Sequence, residues 1–207
     1  MASASALEPE GMLAHAKGGD PTALGQLLER YRRYLTLLAR VQIGKAIRVK
    51  VGGSDVVQEA FLEAHRDFGA FRGETVGELV AWLRQIVARN LANQVRRYRG
   101  TRRRDVRLEQ GLAVSLDQSS DRLAATLPVR SGSPSQHAAR LEAAVILAEA
   151  LDRLPPDYRE VLVLRNLEEL TFPEVAGRMG RSVESVKKLW ARGLAQLRRL
   201  LPEATDL

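Results

Sequence analysis

The sequence predicts an all-α chain: two small helical domains joined by a flexible linker. Three observations carry this. Apolar residues recur at three- and four-residue spacing over long runs in both halves of the chain. Between those runs lies a stretch holding Ser, Gly and Pro with no sustained period. Aromatic residues make up only 5% of a chain that is 45% hydrophobic, so its cores must be built mainly from Leu, Val and Ala. A length of 207 residues suits one or two such domains.

Residues 1–11 read as an N-terminal tail. Asp20-Pro21 has the form of an N-cap followed by proline at the first helical position. Leu24, Leu27, Leu28, Tyr31, Leu35 and Leu38 then continue a helix to about Val41. A second helix starts in "VGGSDVVQEAFLEAHRDF", with Ser54 as its cap and Val56, Val57, Ala60, Phe61, Ala64 and Phe68 as one apolar stripe. The glycine-punctuated loop "GAFRGETVG" leads into a third helix, from about Glu78 to Arg99. Its inward residues are Leu79, Trp82, Leu83, Ile86, Val87, Leu91 and Val95. Three such helices can bury a common core, so residues 12–100 form the first domain. Residues 101–136 form the linker, read as extended or mobile. Helical periodicity resumes in "LEAAVILAEALDRL", breaks at Pro155-Pro156 and resumes in "YREVLVLRNL", placing a second domain of about four helices at 137–207. The two halves do not align with each other, so there is no internal repeat.

The formal net charge is +7, with the basic residues in clusters, which favours a polyanionic partner. The absence of cysteine excludes disulfides and thiolate metal sites. His15, His65 and His137 stand far apart in unrelated contexts. "MASASALEPEG" lacks the basic start and apolar run of a signal peptide, and no apolar segment approaches ~18 residues. The expectation is a cytoplasmic protein with no membrane association.

"TFPEVAGRMGRSVESVKKLWARG" carries the spacing of a helix-turn-helix. Ala176 is the small residue at the crossing, Gly180 tolerates positive φ in the turn, and Val186 plugs the second helix into the first. Ser182 caps that second helix. Trp190, Leu194 and Leu197 continue its buried face, while Glu184, Ser185, Lys187, Lys188, Ala191 and Arg192 form the opposite one. From Arg178 to Arg199 there are seven basic residues against one acid, Glu184. Ser185, Lys188 and Arg192 are placed to reach base edges in a major groove; Arg181, Lys187 and Arg199 are placed for phosphates.

The first domain has a nucleic-acid signature of its own. Nine arginines and one acid, Asp105, lie between Arg84 and Arg107, and five of the ten aromatics lie between Phe61 and Tyr98. Cations bind phosphates and exposed aromatics stack on unpaired bases, so the mixture suits single-stranded or melting DNA. Phe61 and Trp82 sit on inward stripes; Phe71 and Arg72, in the loop, are the candidates for an extruded base. Asp55, Gln58, Glu59 and Leu62 share the face opposite the buried stripe of the second helix. That mixture of an outward leucine with polar groups fits a protein-docking face better than a carboxylate metal site from Asp55, Glu59 and Glu63, since nothing converges to complete one. No nucleophile–base pair is visible, so no residue is assigned as catalytic and no metal or other cofactor is expected. A stand-alone regulator remains the alternative, ordinarily a dimer on a palindrome.

"SDVVQEAFLEA" followed by "FRGETVGELVAWLRQIVARNLANQVRR" resembles region 2 of extracytoplasmic-function sigma factors, the compact sigma-70-type initiation subunits of bacterial RNA polymerase. "LPPDYREVLVLRNLEELTFPEVAGRMGRSVESVKKLWARGLAQLRRLL" resembles their region 4. With "GDPTALGQLLERYRRYL" the blocks cover most of the chain in the family's order, and they look especially similar to the planctomycete branch. The resemblance implies that the Asp55, Gln58, Glu59 and Leu62 face docks on the β′ clamp helices. It implies that the Gly69 to Gly77 loop, with Phe71 and Arg72, receives a flipped base of the minus-ten element. Arg89, Asn90, Arg96, Arg97 and Arg99 would then hold adjacent duplex and strand backbone. Region 4 would place Arg181, Ser182, Ser185, Lys187, Lys188 and Arg192 at the minus-thirty-five element while touching the β flap. The linker would thread toward the RNA exit path. The partners implied are core polymerase, promoter DNA and an anti-sigma factor, with the chain a monomer when bound to core. Glu184-Ser185, Leu189 and Ala191 depart from the family's usual residues at those positions, and Arg102, Arg103 and Arg104 make the linker unusually basic.

Overall fold

The computed structural model describes residues 8–46, 52–99, 105–125 and 135–201, and it is helical throughout apart from turns and short loops. Among the described residues the α-helices are α1 (Pro9–Lys17), α2 (Pro21–Ala46), α3 (Gly53–Asp67), α4 (Val76–Arg99), α5 (Val106–Ala125), α6 (Ser135–Asp152), α7 (Pro156–Leu162), α8 (Phe172–Met179) and α9 (Val183–Leu200). No described helix is long and apolar enough to cross a membrane. Two compact units emerge. One combines Met1–Ile43 with Val49–Asp117, and the other combines Gly44–Arg48 with Gln118–Leu207.

In the first unit, Asp20 caps α2 as its sequence position suggests: Oδ1 accepts the backbone N–H of Thr22 at 2.8 Å and of Ala23 at 3.3 Å. The predicted stripes supply the core. Leu24, Leu27, Leu28, Tyr31, Leu35 and Leu38 of α2, Val56, Val57, Ala60, Phe61 and Ala64 of α3, and Leu79, Leu83, Ile86, Val87, Leu91 and Val95 of α4 are all buried. Each fully buried large aliphatic side chain contributes about 1.5–3 kcal/mol. Trp82 and Phe68 are half-buried.

Four expectations need correction. Part of the expected tail is helical, since α1 begins at Pro9. Ser54 does not cap α3. Gly52 is the N-cap and the helix is already under way at Gly53, where a Cβ would lie 2.7 Å from Arg40 Cγ and 3.0 Å from the Thr36 carbonyl oxygen. The helix therefore starts where two backbones approach too closely for a side chain. α4 begins two residues before Glu78, because Thr75 is its cap. The largest difference is in the segment read as linker, which contains the 20-residue helix α5. Its buried face mixes leucine with small residues: Leu112, Ala113, Leu116, Ser119, Leu123 and Ala124 are buried and Leu108 is half-buried. Ser119 on that face, with Gly111 and Asp117 beside it, obscures the period. The N-terminal half of α5 also packs through polar contacts. Asp117 accepts from Arg84 Nε at 2.6 Å, Glu109 lies 3.5 Å from Arg96, and the Ser115 carbonyl accepts from Gln42. The division between units falls after Asp117, within α5, rather than at residue 100. Arg102, Arg103 and Arg104 lie outside the described residues.

In the second unit, Ala144, Ala148 and Leu151 of α6, Val161 and Leu162 of α7, Val175 and Ala176 of α8, and Val186 and Leu197 of α9 are buried. α7 ends in a wider π turn, Val163–Leu167, which leads to Glu169 at φ 62 before the chain enters α8. Gly193 of α9 is buried against α7, where a Cβ would stand in ordinary contact with Tyr158 Cβ at 3.4 Å and Leu162 at 3.5 Å.

Candidate nucleic-acid interface

The helix pair α8–α9 is built by its caps. Thr171 and Glu174 form a reciprocal capping box, in which Glu174 Oε2 accepts the Thr171 backbone N–H at 2.7 Å and Thr171 Oγ1 accepts the Glu174 N–H at 3.4 Å. The Thr171 hydroxyl and N–H hold the Glu174 carboxyl below the ordinary carboxylate range. A group with a depressed folded pKa stabilises fully above its unfolded pKa, and that contribution is lost as pH falls through the folded value. Loss of the N-cap in Thr171→Ala is expected to lower the stability of this unit by about 1 kcal/mol near neutral pH, the usual cost of removing such a cap. The gap from wild type should narrow once the carboxylate protonates, as checked by thermal unfolding at both pH values.

Gly180 ends α8 in the left-handed region (φ 64, ψ 35), and its N–H donates to the Ala176 carbonyl. No atom crowds its missing Cβ, so backbone conformation rather than space selects glycine. Two residues later Ser182 caps α9, its Oγ accepting the Ser185 N–H at 3.2 Å. Val186 is fully buried. Trp190 is half-buried, donates from Nε1 to Asn166 Oδ1 at 3.0 Å, and meets the Phe172 ring edge-on at 5.7 Å. With that face fixed, Lys187, Lys188, Ala191 and Arg192 are exposed and Ser185 is half-buried beside them. Lys188 pairs loosely with Glu184 at 3.8 Å, and both side chains are mostly exposed. Such a pair is worth little and exchanges readily for a phosphate or base. Arg181 is the exception on this face. Its Nη2 donates to Asp157 Oδ2 at 2.6 Å, which ties the turn to α7.

In the first unit the structure sorts the arginine cluster into inward and outward members. Arg84 is 11% exposed, held by Asp117 and by the Tyr34 hydroxyl at 3.1 Å. Arg96 is 16% exposed, between Asn93 and Glu109. Arg89 donates to Glu63 Oε1 at 2.5 Å and stays partly open. Arg97 is exposed; Arg99 is the last residue of α4. Two predicted contact residues face inward instead. Asn90 is buried, its amide donating to Glu63 Oε2 at 2.9 Å and to the Ile86 carbonyl at 3.0 Å. Phe71 is buried, its ring stacked on Phe68 at 5.8 Å and 5.3 Å from Trp82. An apolar ring with two aromatic neighbours gains more by packing than by facing water, and Glu63 draws Asn90 toward α3. Arg72 is exposed, with Nη1 donating to the Gly69 carbonyl at 2.7 Å. The aromatic that stands open on this unit is Tyr98, 65% exposed beside Arg97. Its place one residue from the end of the predicted third helix was the available signal.

On α3, Asp55, Gln58, Glu59 and Leu62 are all exposed, one continuous strip at helical spacing. Leu62, 68% exposed, is the most open of the large apolar side chains described.

Residues 144–197 match the family model "Sigma-70, region 4", which takes in the C-terminal half of α6, α7, α8 and most of α9. The RNA polymerase sigma factor NccH of Alcaligenes xylosoxydans xylosoxydans is 30% identical over 192 residues, covering 93% of this chain and 94% of that protein. The ECF RNA polymerase sigma factor SigE of Mycolicibacterium smegmatis is 30% identical over 196 residues, covering 92% of this chain and 67% of SigE. The chain is an extracytoplasmic-function sigma factor. A solved structure of CnrH in complex with the cytosolic domain of CnrY aligns with 93% of this chain and 96% of that one, at 27% identity and a TM-score of 0.36. The function of this sigma factor is in transcription initiation by RNA polymerase.

Proposed function

We propose that this sigma factor divides its work between the two units: residues 12–100 dock on core polymerase and open the minus-ten element, and residues 137–207 read the minus-thirty-five duplex. The observation that supports this is a division of surface chemistry. α3 offers exposed acids, an amide and a leucine, while α9 offers lysine and arginine. The first suits a protein and the second a phosphate backbone, and a lone repressor needs only the second. In this reading Asp55, Gln58, Glu59 and Leu62 meet the β′ clamp helices. Arg72, Arg89, Arg97 and Arg99 hold strand backbone, while Phe71 and Asn90 support the surface from inside. Arg96 reaches DNA by exchanging Glu109 for phosphate. Opening DNA costs a few kcal/mol per unstacked base, which captured bases and backbone cations offset. The subunit is non-enzymatic and works in the cytoplasm, where its polymerase is. An anti-sigma factor covering the α3 strip would block docking.

Run-off transcription with bacterial core polymerase, with and without this chain, tests the reading on fragments of its own genome. Core-dependent transcripts from defined starts are expected. A footprint by the chain alone, without such transcripts, would overturn it. Within α9, Lys188→Ala is expected to relax preference at one promoter position at a cost of about 1–3 kcal/mol. Arg199→Ala should weaken all sequences alike and reduce the salt slope by about one. Binding selection over a randomised duplex separates these outcomes.

A further inference from the structure

The segment between the 3-10 turn Phe68–Ala70 and α4 has no regular structure, yet it is held at nearly every residue. Phe71 is plugged between Phe68 and Trp82. Gly73 runs so close beneath that ring that a Cβ would lie 2.5 Å from Phe71 Cζ and 2.8 Å from Glu78 Cβ. Lys17 Nζ, from α1, donates to the Gly73 carbonyl at 3.1 Å. One carboxylate oxygen, Glu78 Oε2, accepts the Glu74 N–H at 2.8 Å, the Thr75 N–H at 3.0 Å and the Thr75 hydroxyl at 3.0 Å. Thr75 Oγ1 in turn accepts the Glu78 N–H at 3.2 Å. An ordinary capping box needs only the Thr75 half of this set. The added bond to Glu74 extends the grip outward into the loop.

We propose that Glu78 is a positioning residue for base capture, holding Phe71–Thr75 in its receiving shape through one carboxylate oxygen, with Phe71 as the plug that anchors the loop. This rests on the reading of the loop as the receiver of a flipped minus-ten base. The exposed side chains that remain for reading are those of Arg72 and Glu74, since the Thr75 hydroxyl is itself committed to Glu78. Because the loop is ordered before DNA arrives, the ordering entropy does not fall on the melting step. The backbone N–H groups of Glu74 and Thr75 are committed to Glu78, so a base must be met by the side chains and carbonyls on the outer edge.

The test uses holoenzyme assembled from core polymerase and the full chain, selecting from a randomised single-stranded oligonucleotide library and, in parallel, a randomised duplex library. Wild type is expected to enrich a positional preference from the single strands. Glu78→Ala should flatten that preference by about tenfold while core affinity and duplex selection stay at wild-type values. Glu78→Gln keeps a carbonyl acceptor and should retain the preference to within about twofold. Gly73→Ala keeps the Glu78 carboxylate but drives a methyl against the Phe71 ring and Glu78 Cβ, displaces the loop by steric contact, and should flatten the preference as Glu78→Ala does. Undiminished preference in Glu78→Ala and Gly73→Ala overturns the proposal. So does a loss of core affinity in Glu78→Ala that tracks its loss of preference while Gly73→Ala behaves as wild type, since Glu78 would then be only a helix cap. If wild-type holoenzyme itself shows no single-strand preference, the reading of the loop as a base receiver falls first and the role of Glu78 with it.

Discussion

Leu62→Asp combined with Glu59→Arg is expected to lower affinity for core RNA polymerase by at least about a hundredfold, roughly 3 kcal/mol, with the helical fold unchanged. Both residues are exposed on α3, with Leu62 68% open. Neither substitution removes a core contact, and exposed positions usually change stability by no more than about 0.5 kcal/mol. The binding effect is large for two reasons that reinforce each other. An outward leucine in a polar strip has the placement of a central interface anchor, and aspartate there would be desolvated without a partner. In the proposed docking, reversing the Glu59 charge would turn an attractive rim contact into a repulsive one. Titration of labelled core polymerase measures the affinity, and circular dichroism with thermal unfolding checks the fold. Wild-type affinity in the double variant would remove α3 as the docking helix.

Val186→Asp is expected to unfold the C-terminal unit and abolish duplex recognition while core binding through α3 persists. Val186 is fully buried at the centre of the helix-turn-helix. An unpaired carboxylate in such a site costs about 3–5 kcal/mol, a large part of the 5–15 kcal/mol that holds a whole domain together. Thermal unfolding should lose the transition belonging to this unit, and gel-shift titration on promoter duplex should show no specific complex. Retention of duplex affinity would mean that the packing of α9 on α8 does not create the reading face.

The stripes of α2, α3 and α4 were legible because every member is apolar or aromatic and repeats at helical spacing. α5 was not, because Leu108, Leu112, Leu116 and Leu123 are diluted by Gly111, Ser115, Ser119 and Ser120. Two helix starts carried a plain signal: Thr75 and Glu78, like Thr171 and Glu174, stand three apart and form reciprocal caps in the structure. Thr75 is what moves the start of α4 ahead of the expected Glu78. The helix-turn-helix was the most legible element, since Ala176, Gly180, Ser182 and Val186 each answer a local demand of crossing, turn, cap or plug.

What the sequence determined by itself follows from geometry within single elements. The 100° step of a helix assigns each residue to a face, so the exposed strip of α3 and the basic face of α9 could be read along the chain; the resemblance to the sigma family was carried by the motifs of the two blocks, not by any face. Only the tertiary structure decided which cations and rings stay available. Glu63 holds Arg89 and Asn90 across 26 and 27 residues, and Asp117 holds Arg84 across 33. Phe71 turns in toward Phe68 and Trp82 while Tyr98 stands open. Helical period names a face, but a buried charge or ring is settled by the partner that packing brings to it. Those partners lie many turns away, where no local spacing records them.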